Sequence, residues 1–220
     1  MSYTYKYYKN DTIADNYIKF VKINMTLFSL LAIIIVISIF VEYLTISTLC
    51  VSVFTLISIS LWSYFIHILF HKYSSTFGII HQNHHNNTNN ATIYDKITEF
   101  ILNFILFGGV IWLFPITYIQ NLTDFYLFNP YVILVWSIVY TSYHSFNYHI
   151  FKTNEIHREH HENLECNYGP EWFDIIFGTK CDGSDIEDMN SAIFNIIIVS
   201  IGVLCLQDTK YDILSRTIYE

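Results

Sequence analysis

The chain has 220 residues, of which 53% are hydrophobic and 14% charged, with a formal net charge of −8. That length allows one domain and no separate catalytic module, and the acidic balance leaves no basic footprint for nucleic acid. Soluble domains carry roughly 25% charged residues, so the deficit here, with a mean hydropathy of +0.35, points to a membrane.

Residues 1–22 are polar and tyrosine-rich, and the apolar run behind them is too long for a signal-peptide core. A bilayer crossing needs about 20 mostly apolar residues, and four segments qualify. The first lies between Lys22 and Glu42, nineteen uncharged residues. The second runs from Tyr43 to Ile66 and the third from Phe100 to about Ile119, with Gly108, Gly109 and Pro115 inside it. Such breaks are tolerated where neighbouring helices satisfy the freed backbone groups. The fourth begins at Asn129–Pro130 and ends near Tyr143. Trp62, Trp112 and Tyr118 are expected near span ends, where aromatic residues favour the interface. The apolar run Ala192–Leu206, fifteen residues, is short for a span. A re-entrant or in-plane helix is favoured there over a fifth span, because Lys210 and Arg216 follow it.

Lys6, Lys9, Lys19 and Lys22 precede the first span, Lys72 and Lys96 separate the second from the third, and Lys152, Arg158 and Lys180 follow the fourth. The connections around Glu42–Thr48 and Gln120–Phe128 contain neither Lys nor Arg, so the N-terminus and segments 67–99 and 149–188 are expected in the cytosol. The expected fold is an all-α, multi-pass membrane helical bundle with four spans and a cytosolic histidine-rich cap. Its parts are a cytosolic N-terminal segment (1–22), a membrane domain (23–188) and a C-terminal apolar segment and tail (189–220). Cys50, Cys166, Cys181 and Cys205 are widely spaced without a C-x-x-C pair, which reads as four free thiols.

All ten histidines fall between residues 67 and 161. His67 and His71 are spaced i, i+4, and His81, His84 and His85 are spaced i, i+3, i+4, a pattern repeated by His157, His160 and His161. On a helix these spacings share a face, so each group aims its imidazoles one way. The first group closes the second span, His144 closes the fourth, and the other two groups follow shortly after, so all converge at one depth. A lone histidine is more often a packed core residue than a ligand. Eight at helical spacing on one membrane side are expected to bind metal, since desolvating them without a shared partner is costly. Nine ligands exceed one coordination shell, which implies two metal ions: His67, His71, His81, His84, His85, His144, His157, His160 and His161. His149 is the doubtful tenth, because five residues past His144 it points about 140° away on an α-helix. Imidazole suits zinc, copper, iron and nickel alike. Glu155, Glu159, Glu162 and Glu165, near the last group, read mainly as solvated surface, with orientation of imidazoles the alternative.

The series His-x3-His, nine residues, His-x2-His-His, an isolated His and a final His-x2-His-His resembles the fatty acid hydroxylase / sterol desaturase superfamily. Asn167-Tyr168-Gly169 with Asp174-Ile175-Ile176-Phe177-Gly178-Thr179 is similar to that family's closing signature, although Phe173 stands where a tryptophan is usual, with Trp172 one residue earlier. The resemblance covers about residues 60–180. It implies a two-metal centre, iron with zinc possible in preparations, and O2 as co-substrate. It further implies a membrane lipid substrate (sterol, sphingoid base or fatty acyl chain) and residence in the endoplasmic reticulum. No Gly-x-Gly-x-x-Gly fingerprint is present, so electrons would come from a b-type cytochrome or reductase. A lipid desaturase with the same site is the near alternative to a hydroxylase. A metal transporter or other non-catalytic metal-binding membrane protein, or a degenerate scaffold, is the distant one.

Overall fold

A computed structural model describes residues 5–41, 46–73, 75–86, 92–151, 153 and 155–208. Among these are ten α-helices and no strand, only an isolated bridge between Lys6 and Asp185. Lys152, Lys210 and Arg216, used above for orientation, lie outside the described residues, as does the connection at Glu42.

Helix α1 (Ile13–Ile23) starts on a capping box in which Thr12 and Asp15 exchange hydrogen bonds, and it buries Phe20 against Tyr7, Ile175 and Ile186. At Asn24 the chain turns into the almost wholly apolar α2 (Met25–Val41). This joint is tied to residues far along the chain. Asn24 donates to Glu187 O (2.9 Å), Met189 N donates to Asn24 Oδ1 (2.7 Å), and Asn190 donates to Ile23 O (2.9 Å). The N-terminal segment is thus sewn to residues 183–190.

Helix α3 (Ile46–Lys72) is the single helix among the described residues that is long and apolar enough to cross a bilayer unaided. It runs past the predicted end at Ile66 and carries His67 and His71 in its last turns. The third predicted span is not straight. Helix α5 (Ile93–Leu102) passes through a π-helical stretch (Asn103–Phe107), breaks at Gly108–Gly109 and resumes as α6 (Leu113–Thr123), with a bend of 46°. The break frees three carbonyls, and the neighbouring helices meet them. Trp62 Nε1 donates to Leu106 O (2.7 Å), Ser63 Oγ to Phe107 O (2.5 Å) and Ser137 Oγ to Gly108 O (2.5 Å). Trp62 therefore serves the break from within α3, and Trp112 packs edge-on against it at 5.1 Å.

Gly108 is where the break touches α7 (Pro130–Ser142): a Cβ there would lie 2.7 Å from the Ser137 Cα, so backbone would have to move. Gly108→Ala is expected to cost about 1–3 kcal/mol by overpacking, read as a lower unfolding midpoint in detergent. An unchanged midpoint would show the approach to be looser than this.

Helix α7 starts on an Asn129 cap with Pro130 in its first turn and continues as a π-helix through Tyr143–Ile150, carrying the chain well beyond the predicted end of the fourth span. Helix α4 (Thr76–Asn86) folds back on α3. Helix α8 (Ile156–Glu162) follows the π-helix, α9 (Glu171–Phe177) packs on α1, and α10 (Ile193–Asp208) packs along α7. The run Ala192–Leu206 is thus helical. Ile46, Phe54, Phe114, Ile198 and many other large apolar side chains are exposed on the outer faces of these helices, more apolar surface than a soluble monomer normally shows.

Candidate metal centre

Four elements deliver the histidines: the end of α3 (His67, His71), α4 (His81, His85), the π-helix (His144) and α8 (His157, His160, His161). The side chains of His84 and His149 lie outside the described residues. The backbone around His149 is nevertheless π-helical. In such a turn hydrogen bonds run i→i+5, so the 140° offset expected of an α-helix does not hold there.

His67, His71, His81, His85 and His160 form one cluster, and the nearest ligand atoms of His67, His71, His85 and His160 all lie within 4.8 Å of one another. His160 Nε2 is 3.1 Å from His67 Nε2 and 3.0 Å from His71 Nε2. His81 Nε2 is 3.3 Å from His71 Nε2 and 3.0 Å from His85 Nε2. These contacts are not all hydrogen bonds. His160 Nδ1 sits 2.7 Å from Cys166 O, and His67 Nδ1 sits 2.5 Å from Tyr168 O. A carbonyl can only accept, so both rings carry their proton on Nδ1 and turn bare lone pairs toward each other. Two lone pairs at that distance repel unless a cation lies between them. With metal–nitrogen bonds of 2.0–2.1 Å, neighbouring ligands stand about 3.0 Å apart in an octahedron and about 3.4 Å apart in a tetrahedron. The cluster fits a metal ion.

Burial pushes the imidazoles of His81 and His160 down to about 3, and burial with neighbouring imidazoles lowers His85 further. All three are neutral at physiological pH, the form that ligates metal. Beside this cluster a second group gathers. His157 and His161 bring Nε2 atoms to 3.0 Å, His144 and His157 stack edge-on at 4.6 Å, and His161 lies 4.1 Å from His85 across the gap between groups.

The loop after α8 orients two of these histidines. Asp174, buried at the start of α9, accepts hydrogen bonds from Tyr168 N (3.1 Å), Gly169 N (2.6 Å) and Thr179 Oγ1 (2.7 Å). Asn167, at a positive φ of 57°, donates its backbone N–H to Thr179 O (3.0 Å) and accepts from Cys181 N at its side-chain oxygen (3.0 Å). This clasp aims the carbonyls of Cys166 and Tyr168 at His160 and His67. Carbonyls and carboxylates behind ligating histidines fix tautomer and ring direction. The displaced tryptophan leaves it intact: Phe173 is buried, and Trp172 packs against the α1 cluster. Burial pushes the Asp174 carboxyl up to about 6.

Sequence reading missed a further support. Buried Glu99 lies 3.7 Å from His81 Nδ1 and accepts from Asn103 Nδ2 (3.2 Å), whose amide also meets His144 Nδ1 (3.0 Å). The available signal was an acid and an amide one turn apart at the mouth of an apolar segment. Of the acids near the last histidine group, Glu155 and Glu162 pair with exposed Arg158 on the surface, whereas Glu159 accepts from Asn167 (3.2 Å).

The expectation of four free thiols is corrected: Cys166 and Cys181 form a disulfide, with Cα atoms 5.2 Å apart. The clasp folds the two positions together, a proximity that spacing along the chain does not reveal. Cys50 is free and exposed, and the Cys205 side chain lies outside the described residues.

A cavity of about 490 Å³ ends on these histidines. Its inner wall includes His67, His144 and His157, and its long apolar wall is made by Leu31 of α2, Val132, Val135 and Val139 of α7, and Ile196 of α10. Residues 52–179 match the fatty acid hydroxylase family, more than half of the chain, and the chain belongs to that family. Membership carries oxidoreductase chemistry and membrane association with it. No curated protein and no solved structure matches the chain.

Proposed function

We propose that the chain is a membrane-spanning, two-metal oxygenase that hydroxylates a lipid. The observation that carries this reading is the apolar cavity, which ends directly on the histidine groups. An ion-conducting or ion-carrying protein needs a polar route to its ligands, and this wall offers hydrocarbon. The nine histidines named from the sequence, with His149 as a candidate tenth, would hold two iron ions, and these would supply O2 activation. The protein's own part is to hold the imidazoles neutral and aimed, to keep bulk water from the buried cluster, and to lay a lipid chain along α7. Electrons would arrive from a separate b-type cytochrome or reductase. Desaturation uses the same site and is the second reading.

Four crossings are proposed: α2, α3, the bent α5–α6 pair, and α7 with its π-helical extension. The histidines would face the cytosol, in the endoplasmic reticulum membrane. The Cys166–Cys181 bond weighs the other way, since disulfides are rare in the cytosol. Nine basic residues spread over three segments outweigh one cysteine pair.

The test is lipid profiling of cells expressing the wild type against a His85→Ala/His160→Ala variant, grown aerobically with a co-expressed reductase. A product heavier than its precursor by one oxygen atom is expected only with the wild type. A loss of two hydrogens would assign desaturation, and identical profiles would remove the oxygenase reading.

A further inference from the structure

The inner end of the cavity is chemically unlike its walls. Beside His144 and His157 it is lined by Tyr143, Tyr148 and Glu187. Tyr148 donates to Glu187 Oε1 (2.5 Å), and Tyr143 reaches the same oxygen at 3.5 Å. The Tyr148 ring lies flat on His157, with centroids 4.5 Å apart and planes 10° apart, so this polar group is one ring's thickness from the histidines. Glu187 is 5% exposed and held from behind: its backbone N–H donates to Glu171 Oε2 (2.9 Å), and Glu171 is paired with buried Lys180 (2.9 Å). Both tyrosines meet Oε1, and among the described residues none donates to Oε2, although a buried carboxyl oxygen needs a donor. Small-molecule sites take this form, an apolar body with a few placed polar groups.

Resting on the lipid-oxygenase reading above, we propose that Glu187, with Tyr143 and Tyr148, is a hydroxyl-binding subsite. The substrate is then a neutral lipid alcohol bound head-inward, oxidised at a carbon within a few bonds of its hydroxyl. Cavity-lining residues run from Tyr131 on α7 to Tyr143 at the start of its π-helical extension, about 18 Å of helix at 1.5 Å per residue, which accommodates the apolar body. Anionic heads fit poorly. Glu171, Asp174 and Glu187 line the cavity, and the buried cation nearby, Lys180, is already paired with Glu171, so a fatty carboxylate would find no free positive charge to pair with.

The experiment measures binding without turnover, by quenching of tryptophan fluorescence in the full-length protein in nanodiscs, since Trp136 and Trp172 line the cavity. The probes are a long-chain primary alcohol, the carboxylate of equal length and the corresponding alkane. The alcohol is expected to bind about tenfold tighter than either, the worth of one good hydrogen bond. Glu187→Leu should erase that preference, and Glu187→Gln, which keeps an acceptor, should retain most of it. Equal binding of alcohol and carboxylate to the wild type would overturn the subsite, as would an undiminished preference in folded Glu187→Leu. If Glu187→Leu does not fold, the wild-type comparison decides alone. Product analysis separates the two layers. Alcohol preference with no oxidised product leaves the subsite standing and removes the oxygenase reading; oxidised product without alcohol preference does the reverse.

Discussion

His160→Ala should lower the metal content of the detergent-purified protein from about two ions per chain to about one. His160 Nε2 lies within 3.1 Å of both His67 Nε2 and His71 Nε2, so its ring is the shared member of the first cluster. Its loss leaves the two α3 imidazoles without the ligand that closes their shell. Even residues behind the ligands are worth 10–100-fold in metal affinity, and a ligand is worth more. Elemental analysis of iron and zinc reads the result, with Arg158→Ala, on the exposed face of the same helix, as the control that keeps its metal. Fewer than two ions in the wild type, or an unchanged content in His160→Ala, would remove the two-metal site.

The second large effect is expected away from the ligands. Asp174→Ala leaves three donors unmet: Tyr168 N, Gly169 N and Thr179 Oγ1. Each buried donor without a partner costs about 1–3 kcal/mol, so the variant should lose roughly 3 kcal/mol or more and show a clearly lower unfolding midpoint. Metal content should fall with it, because the loop that aims the Cys166 and Tyr168 carbonyls is released. Asp174→Asn, which keeps one acceptor oxygen, should fall between variant and wild type. Full metal content in Asp174→Ala, despite a lower midpoint, would make the clasp a prop of the fold with no part in ligand orientation.

Much of the histidine cluster was legible because a candidate metal site imposes local spacing. A helix that must offer two or three nitrogens repeats histidine at i+3 and i+4, as His81 and His85 or His157 and His161 do, and such spacing survives without any knowledge of the fold. The groups behind the ligands impose no spacing. Glu99 reaches His81 across a helix–helix contact, and the Tyr168 carbonyl reaches His67 across about a hundred residues of chain, so only the folded chain reveals them. Segment length and composition located the apolar helices, but not their ends. α3, and the π-helix that continues α7, run on past the predicted stops because the histidine-bearing turns are polar in composition and helical in backbone. The glycine pair in the third segment was read as tolerated, which it is. The size of the bend was illegible, because it depends on Trp62, Ser63 and Ser137 answering from other helices.

The disulfide closes Asn167, Tyr168, Asp174 and Thr179 into one covalent ring, its ends fifteen residues apart in sequence. Closing a loop of that length removes about 3 kcal/mol of chain entropy from the unfolded ensemble. In the oxidised protein that ordering is done by a covalent bond and need not be drawn from ion binding. At about 1.4 kcal/mol per factor of ten, the ring is equivalent to roughly two decades of apparent metal affinity. An ion could then leave and be replaced without the loop unravelling, and a protein reduced at Cys166 and Cys181 would hold its ions more weakly with every ligand still in place.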